Sequence, residues 1–386
     1  MLESTRLLRD LVALPSINPM GRPLQGPEIY EHRVTAYLEG FFRSLGVPYE
    51  RQTVAPLRDN IVARCEVPGA ASTLVLEAHQ DTVPVDNMTI DPFGARIEGG
   101  RLYGRGACDI KGGMAAMLAA FARVAREKPC GACHVVLACT VDEEHTFLGV
   151  QRLVRGNLRA GDKGPVGAVV AEPTQLQIVN AHKGAVRWHL LTAGRACHSS
   201  RPEQGVNAIY RMAALLPDVE RYAEQLRASR TDPRLGSPTL SVGRIEGGTS
   251  VNTVPDRCRV EIDRRLLPGE DPKAAPDHFA AYLREHAGRH VPFECTPPWM
   301  STPALGPEGS EDLVARLGRA IDAVAGSHEV QAVPYGTDAS TLAAAGIPAV
   351  VFGPGDIARA HTCDEWVPLD EVEQAGEILY RLACAG

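Results

Sequence analysis

Four short apolar stretches in this sequence are each followed, within a few residues, by a histidine or an acidic residue. The stretches and the polar residues after them are 74–76 with His79 and Asp81, 135–138 with Glu143 and Glu144, 168–171 with Glu172, and 350–352 with His361. Short apolar runs that alternate with helical patterns are typical of strands in a largely parallel sheet. Ligands bind outside the carboxyl ends of such strands, so we expect these side chains to converge.

The helical and strand patterns divide the chain into two domains. Residues 1–180 and 297–386 alternate between helix and strand, which predicts an α/β catalytic domain with a mostly parallel sheet. Between residues 181 and 296 the order is β-α-β-β-α-β, which predicts a ferredoxin-like fold. The smaller domain is therefore inserted into the larger one, which is discontinuous in sequence.

Charge and hydropathy exclude several classes of partner. The net charge of −7 gives no basic surface for nucleic acid or for an anionic membrane. No apolar run approaches the roughly 20 residues that cross a bilayer, and residues 1–15 have amphipathic helical spacing rather than the pattern of a signal peptide. We expect a cytoplasmic protein that binds neither nucleic acid nor membrane.

Histidines and carboxylates at successive strand ends form a nitrogen and oxygen donor set that suits zinc, with cobalt or manganese as substitutes. Two metals about 3.5–4 Å apart need a shared carboxylate, and Asp109, which precedes a helical pattern, can supply it. One ion would take His79 and Glu172, and the other Glu144 and His361. Asp81 is placed to accept the second imidazole N–H of His79, and Glu143 is left as the general base.

Each of these features has a simpler explanation when taken alone. His79 and Asp81 could be a surface pair, and Glu143 with Glu144 could be a solvated edge. Asp109 could cap a helix, where aspartate is favoured, and Glu172 could belong to a turn before Pro173. Their repetition at successive strand ends favours the metal site, because a cation offsets the repulsion between crowded carboxylates.

At these residues the sequence resembles the family of zinc aminoacylases, acetylornithine deacetylases, succinyl-diaminopimelate desuccinylases and carboxypeptidase G. The matching segments, in the family's order, are 79–84, 103–113, 142–144, 171–174 and 360–362. The resemblance covers essentially the whole chain and implies the metal roles given above. In relatives the peptide bond after the bridging aspartate is often cis, so we expect a cis bond between Asp109 and Ile110.

The resemblance also implies roles for residues of the inserted domain, which serves in the family as a lid and mediates dimerisation. His198, in the pattern of residues 194–200, would reach the partner subunit's site and stabilise the oxyanion. Asn252 and Arg265 would hold the substrate carboxylate, the arginine through its bidentate fork. Outside the lid, Gly353 and Gly355 resemble a backbone loop near the same carboxylate.

The resemblance implies hydrolysis of an amide bond in a small substrate with a free carboxylate. Residues 353–365 are most similar to acetylornithine deacetylase-type enzymes, which favours N-acyl amino acids. The same family contains dipeptidases and carboxypeptidases, and the scaffold does not decide among them. A homologue without catalysis that serves in binding or dimerisation is the alternative of another class, although every proposed ligand is present.

Overall fold

The computed structural model describes residues 2–158, 165–286 and 291–385. The chain divides into two compact units. The first unit contains Met1–Ala181, Pro307–Ala332 and Thr337–Gly386, and the second contains His182–Gly306 and Val333–Gly336. The second unit continues past the predicted boundary at residue 296, because residues 300–302 pair with one of its strands.

The strands and helices are numbered in chain order. The strands are β1 (Tyr49–Ala55), β2 (Arg58–Cys65), β3 (Thr73–His79), β4 (Arg96–Glu98), β5 (Arg101–Tyr103), β6 (His134–Thr140), β7 (Pro165–Val170), β8 (Ile178–His182), β9 (Gly184–Ala193), β10 (Thr239–Gly247), β11 (Arg257–Leu266), β12 (Glu294–Cys295), β13 (Met300–Thr302), β14 (Val330–Val333), β15 (Ala349–Val351) and β16 (Trp366–Pro368). The helices are α1 (Glu3–Val12), α2 (His32–Leu45), α3 (Gly112–Glu127), α4 (Leu148–Leu153), α5 (Ala208–Ser229), α6 (Ala274–His286), α7 (Glu311–Ala325), α8 (Ala339–Ala344) and α9 (Leu369–Cys384).

The first unit is built on a sheet of strand order β1-β2-β6-β3-β7-β15-β8-β14. The four central strands, β6, β3, β7 and β15, are parallel, whereas β1, β2 and β8 pair antiparallel toward the edges. Every residue of β3 is buried, as expected for a strand covered on both faces. The predicted α/β class with a mostly parallel sheet is confirmed.

Helix α3 follows directly after the segment that carries Asp109. Its sequence is rich in glycine and alanine, and most of the helix is buried against α1 and α9. Small side chains let neighbouring helices approach closely, so the small-residue pattern places α3 in the core. A short sheet of order β16-β5-β4 lies in the same unit and was not predicted, because its strands have only three residues each.

The second unit has a sheet of order β10-β11-β9-β12. Strand β11 pairs antiparallel with β10 and β9, and β12 and β13 both pair antiparallel with β9. With α5 after β9 and α6 after β11, this is the strand order expected of a ferredoxin-like fold. Trp188 and Phe279 meet edge to face in its core at 5.5 Å between ring centroids. Within the described part of the chain, no helix is both long and apolar enough to cross a bilayer.

Candidate metal centre

The carboxyl ends of the four parallel strands supply most of the predicted ligands. His79 is the last residue of β3, and Glu143 and Glu144 follow β6. Glu172 follows β7, and His361 lies ten residues beyond the end of β15 at Val351. Because these strands run in one direction, their carboxyl ends share one edge of the sheet, as the sequence predicts.

Asp109 lies between two imidazoles. One carboxylate oxygen, Oδ1, is 3.2 Å from His79 Nε2, and the other, Oδ2, is 3.3 Å from His361 Nε2. Such a carboxylate can bridge two ions, with one oxygen toward each. The helix-cap alternative is wrong, because α3 begins three residues later and Lys111 occupies its N-cap. The Asp109–Ile110 peptide bond is cis, as expected.

His361 and Glu144 form the other side of the centre. His361 Nε2 is 3.2 Å from Glu144 Oε1, so Asp109, Glu144 and His361 adjoin one another. Ligand atoms of His79, Asp109 and Glu144 also lie within 4.8 Å of one another. This grouping suits an ion held by nitrogen and oxygen donors.

Glu143 and Glu172 also adjoin His79. One ligand atom of each of these three residues lies within 4.8 Å of the other two. Burial raises the pKa of Glu143 and of Glu172, and nearby carboxylates raise both further. Crowded carboxylates of this kind fit a bound cation, which compensates their charge. Glu143 thus lies beside the predicted ligands His79 and Glu172, and its role as a base stays a prediction.

Asp81 has a different contact from the predicted one. The His79 Nδ1 atom is 3.0 Å from the backbone carbonyl of Asp81 but 3.5 Å from its carboxylate. The carboxylate accepts hydrogen bonds from Asn18 Nδ2 at 2.8 Å and from the backbone N–H groups of Glu143 and Glu144 at 3.2 Å each. Although burial opposes ionisation, the proximity of His79 and Arg58 and the hydrogen bond from Asn18 hold the pKa of Asp81 at about 2. Asp81 therefore fixes the segment that carries the base.

His198 lies in the second unit and is exposed. Its Nδ1 accepts a hydrogen bond from the backbone N–H of Ser200 at 3.1 Å. A backbone amide can only donate, so the neutral imidazole carries its proton on Nε2. The same loop is joined to the segment of Asn252, whose carbonyl accepts from the backbone N–H of Ser199 at 3.0 Å.

Arg265 and Arg264 differ in what they can reach. Arg264 is buried and bonded to Glu270, whereas Arg265 is half-buried. Arg265 Nε donates to Asp263 Oδ1 at 2.6 Å, which leaves its Nη1 outside this ion pair. This contrast favours Arg265 for substrate binding, as the sequence pattern does.

Gly353 and Gly355 use their amide groups within the protein. The Gly353 N–H donates to Thr174 Oγ1 at 3.0 Å, and the Gly355 N–H donates to Glu371 Oε2 at 2.7 Å. A Cβ atom at Gly353 would lie 2.6 Å from the carbonyl oxygen of Glu172. The glycine therefore lets the loop pack against a ligand-bearing segment, and binding of substrate by these two amides stays a prediction.

Sequence reasoning missed a buried network behind Asp81. Arg58 donates to Glu31 and, through Nη1 at 2.7 Å, to Asp142, and Asn18 joins Asp142 to Asp81. Asp142 adjoins Glu143 in the sequence, which was the one available signal. Nothing in the local sequence marks Arg58 or Glu31, because their partners are distant along the chain.

A second buried carboxylate pair lies beside the centre. Thr140 Oγ1 is 2.6 Å from Glu77 Oε1 and 3.1 Å from Asp338 Oδ2. Burial raises the pKa of Glu77 to about 7 and raises that of Asp338 as well. Sequence patterns assign no role to Asp338, and the structure brings it next to β3 and β6 through these contacts.

Comparison with known proteins shows which family this chain resembles. Residues 75–385 match the model of peptidase family M20/M25/M40. An acetylornithine deacetylase from Myxococcus xanthus is 31% identical over 80% of this chain and 79% of its own length. An M20 family metallo-carboxypeptidase from Sulfolobus solfataricus has a TM-score of 0.78 and 21% identity, covering 100% of this chain and 99% of that one. A dinuclear metal-binding M20 peptidase from Bacillus subtilis has a TM-score of 0.68 and 16% identity, covering 99% and 97%.

Proposed function

This chain belongs to peptidase family M20/M25/M40, whose members are metal-dependent hydrolases of amide bonds, and from that premise we propose that it deacylates N-acyl amino acids. The observation that carries the hydrolytic part is Asp109, whose two oxygens face two different imidazoles. The likeness to an acetylornithine deacetylase supports an N-acetylated substrate with a free carboxylate.

The residues present fit two divalent ions, for which we propose zinc, with cobalt or manganese as substitutes. His79, Glu172 and Asp109 would hold one ion, and Asp109, Glu144 and His361 the other. Bound in such a pair, the ions supply positive charge that polarises a carbonyl and lowers the pKa of water. His79 is oriented for this role by the backbone carbonyl of Asp81.

Glu143 is the proposed general base. It takes a proton from the attacking water and delivers it to the amine nitrogen as the C–N bond breaks, which yields a carboxylic acid and a free amino group. Burial raises its pKa, which makes its carboxylate a stronger proton acceptor than that of an exposed glutamate. Asp81 supports this role, because its carboxylate holds the backbone of Glu143 and Glu144.

Residues of the second unit are proposed to act on the substrate rather than on the metals. His198 would donate its Nε2–H to the carbonyl oxygen as negative charge develops, in the partner subunit's site. Its tautomer, set by the Ser200 amide, supports this role. Arg265 and Asn252 would hold the substrate carboxylate.

A homodimer through the second unit is part of the proposal. Val251 is 100% exposed, Tyr210 75% and Ile245 52%, although all three are large apolar side chains. Tyr210 and Val251 line one surface depression, and exposed apolar side chains that lie close together are typical of surfaces that contact another protein. Sedimentation equilibrium of the wild type and of Val251→Asp tests this, since a monomeric wild type would contradict the dimer.

The deacylase proposal is tested by metal analysis of the purified protein together with a panel of N-acetyl amino acids and dipeptides. We expect two divalent ions per chain and release of acetate. Release of an amino acid from dipeptides without release of acetate would make the protein a peptidase. Two bound ions without hydrolysis of any substrate would favour a binding protein.

A further inference from the structure

We propose that the buried ion pair between Arg105 and Glu365 is a positioning device that sets both Asp109 and His361 in the metal centre. The inference rests on the proposed function, because it assigns these two residues as metal ligands. Neither Arg105 nor Glu365 is itself placed to touch an ion. Both side chains are buried, with 1% and 0% of their surface exposed.

Glu365 holds the backbone that leads into Asp109. Its Oε1 accepts the N–H groups of Cys108 at 2.9 Å and Asp109 at 3.1 Å, and its Oε2 accepts from Arg105 Nη1 at 2.6 Å. Three donors therefore converge on one carboxylate. Hydrogen bonds to an ionised acceptor are about twice as strong as neutral ones, so this group constrains the bridging ligand firmly.

Arg105 extends the same support to His361. Its Nη2 donates to Asn87 Oδ1 at 3.0 Å, and Asn87 Nδ2 donates to the carbonyl oxygen of His361 at 3.1 Å. His361 has a φ of 61°, in the left-handed region that non-glycine residues seldom adopt. A conformation of this kind persists when surrounding contacts fix it, and the Asn87 amide is one of those contacts.

Backbone bonds complete the connection between the two segments. The Gly104 N–H donates to the carbonyl of Glu365 at 3.0 Å, and the Thr89 N–H donates to that of Cys363 at 2.9 Å. Residues 361–365 are thus attached to residues 87–89 and 104–109 at several points. The ion pair lies where these segments meet, so one carboxylate and one guanidinium position two ligands that are 252 residues apart in sequence, at 109 and 361.

The chemistry of the acceptor makes the role testable by an isosteric change. A glutamine at residue 365 keeps the shape but turns one oxygen into an NH2 donor, which faces either Arg105 or the two backbone amides. Asn87→Asp keeps the acceptor for Arg105 but removes the donor to His361. Glu365→Gln therefore disturbs the contacts that support both Asp109 and His361, and Asn87→Asp disturbs only the contact that supports His361.

The experiment measures metal affinity by stepwise removal of Zn²⁺ from the loaded protein with a chelator of known affinity. Loss of an outer partner of a metal ligand weakens metal binding by about 10–100-fold. Because Asp109 is proposed to hold both ions, Glu365→Gln should weaken the binding of each Zn²⁺ to that extent. Asn87→Asp should weaken one step and leave the other unchanged. With Co²⁺ in place of Zn²⁺, the visible absorption of the ions should shift in both variants.

Glu270→Gln is the matched control. Glu270 also accepts from an arginine and from a backbone amide, Leu267 N–H at 2.6 Å, but it lies in the second unit. We expect it to lower the melting temperature without changing metal affinity. If metal affinity depended only on folding stability, it would fall in both Glu270→Gln and Glu365→Gln. If Glu365 positions the ligands, metal affinity falls in Glu365→Gln alone.

The outcomes separate this inference from the proposed function. A wild type that binds two ions while Glu365→Gln binds both with unchanged affinity overturns the positioning role and leaves the function standing. If Glu365→Gln fails to fold, Asn87→Asp provides the test, because Asn87 is exposed and its replacement should be tolerated. Unchanged affinity for both Zn²⁺ ions in Asn87→Asp then overturns the inference. A wild type that binds no divalent ion overturns both.

Discussion

In the first unit the side chains of the proposed metal ligands contact one another across long stretches of sequence, whereas in the second unit the side chains of the proposed reaction residues bond to near neighbours. His79 and Asp109 are 30 positions apart, and Glu144 and His361 are 217 apart. His198, Asn252 and Arg265 each bond to a side chain two positions away, on Ser200, Ser250 and Asp263.

This difference indicates a division of labour between the units. Contacts between distant residues exist only when the whole fold is formed, so the first unit presents a preformed and mostly buried ligand set. The second-unit residues are exposed or half-buried and keep donor atoms outside their local contacts. Variants of the first unit should therefore change metal binding or the proton transfer, and those of the second unit should change turnover or substrate binding alone.

The largest loss of activity is expected at Glu143. This residue tests the comparison most severely, because it lies among the proposed metal ligands but is assigned to proton transfer. Glu143→Gln should lower kcat by about 10⁴-fold, at the upper end of what general bases contribute, while both metals stay bound. Steady-state kinetics and metal analysis of the same sample measure the two quantities. Because Glu143 lies within 4.8 Å of atoms of His79 and Glu172, loss of an ion would show that it is a ligand and contradict its role as base.

A smaller loss is expected at His198. His198→Ala should lower kcat by about 10²–10³-fold, the usual result of removing one oxyanion donor, without loss of metal. Ser200→Ala is the control, because the backbone N–H of Ser200 still donates to His198 Nδ1 and keeps the imidazole proton on Nε2. Reduced metal content in His198→Ala would contradict the proposal that second-unit residues act on the substrate and not on the metals.

Arg265 should affect the Michaelis constant more than turnover. Arg265→Lys keeps the charge but loses the planar fork, which should raise KM about tenfold for substrates with a free carboxylate. Substrates whose carboxylate is replaced by an amide should show little difference between variant and wild type. Arg264→Lys is the matched control, since buried Arg264 bonds to Glu270 and its replacement should reduce stability instead. If Arg265→Lys changes KM equally for both types of substrate, Arg265 does not bind the carboxylate.

The comparison also explains which parts could be predicted from sequence. Continuous apolar runs identify buried parallel strands, and parallel strands bring their carboxyl ends together, so His79, Glu144 and Glu172 could be grouped before the structure was known. The tautomer of His198 and the backbone contact of Asp81 depend on local geometry that sequence patterns do not report.

The supporting residues could not be predicted for a different reason. Arg58 joins Glu31 and Asp142, and Arg105 joins Glu365, across separations of 27, 84 and 260 positions. Arg105 and Glu365 lie in segments that carry the family resemblance, but neither segment indicates that the two residues pair, so only the fold reveals the partner. The short strands β4, β5 and β16 were missed because three residues are too few to show an alternating pattern.

The smallest effect concerns stability at His182, a residue of the second unit that is buried, unlike the proposed reaction residues there. His182 is fully buried, and its Nδ1 is 3.0 Å from the carbonyl oxygen of Lys183. Burial lowers the pKa of His182 from 6.5 to about 4. Between these pH values the unfolded chain binds a proton that the folded chain does not, so stability rises with pH through this window.

Lowering the pH from 6.5 toward 4 should therefore cost the folded state up to about 1.4 kcal/mol per pH unit through His182. His182→Gln, which cannot take up the proton, should show a shallower fall of unfolding free energy with pH than the wild type. Urea unfolding of both proteins at pH 7.5, 6.0 and 5.0 measures the difference, in which the other titrating groups cancel. Between pH 7.5 and 8.5 the two curves should run parallel, since His182 is neutral in both states there. Parallel curves down to pH 5 would mean that His182 is protonated equally in folded and unfolded chains, and that burial in the second unit does not set its charge.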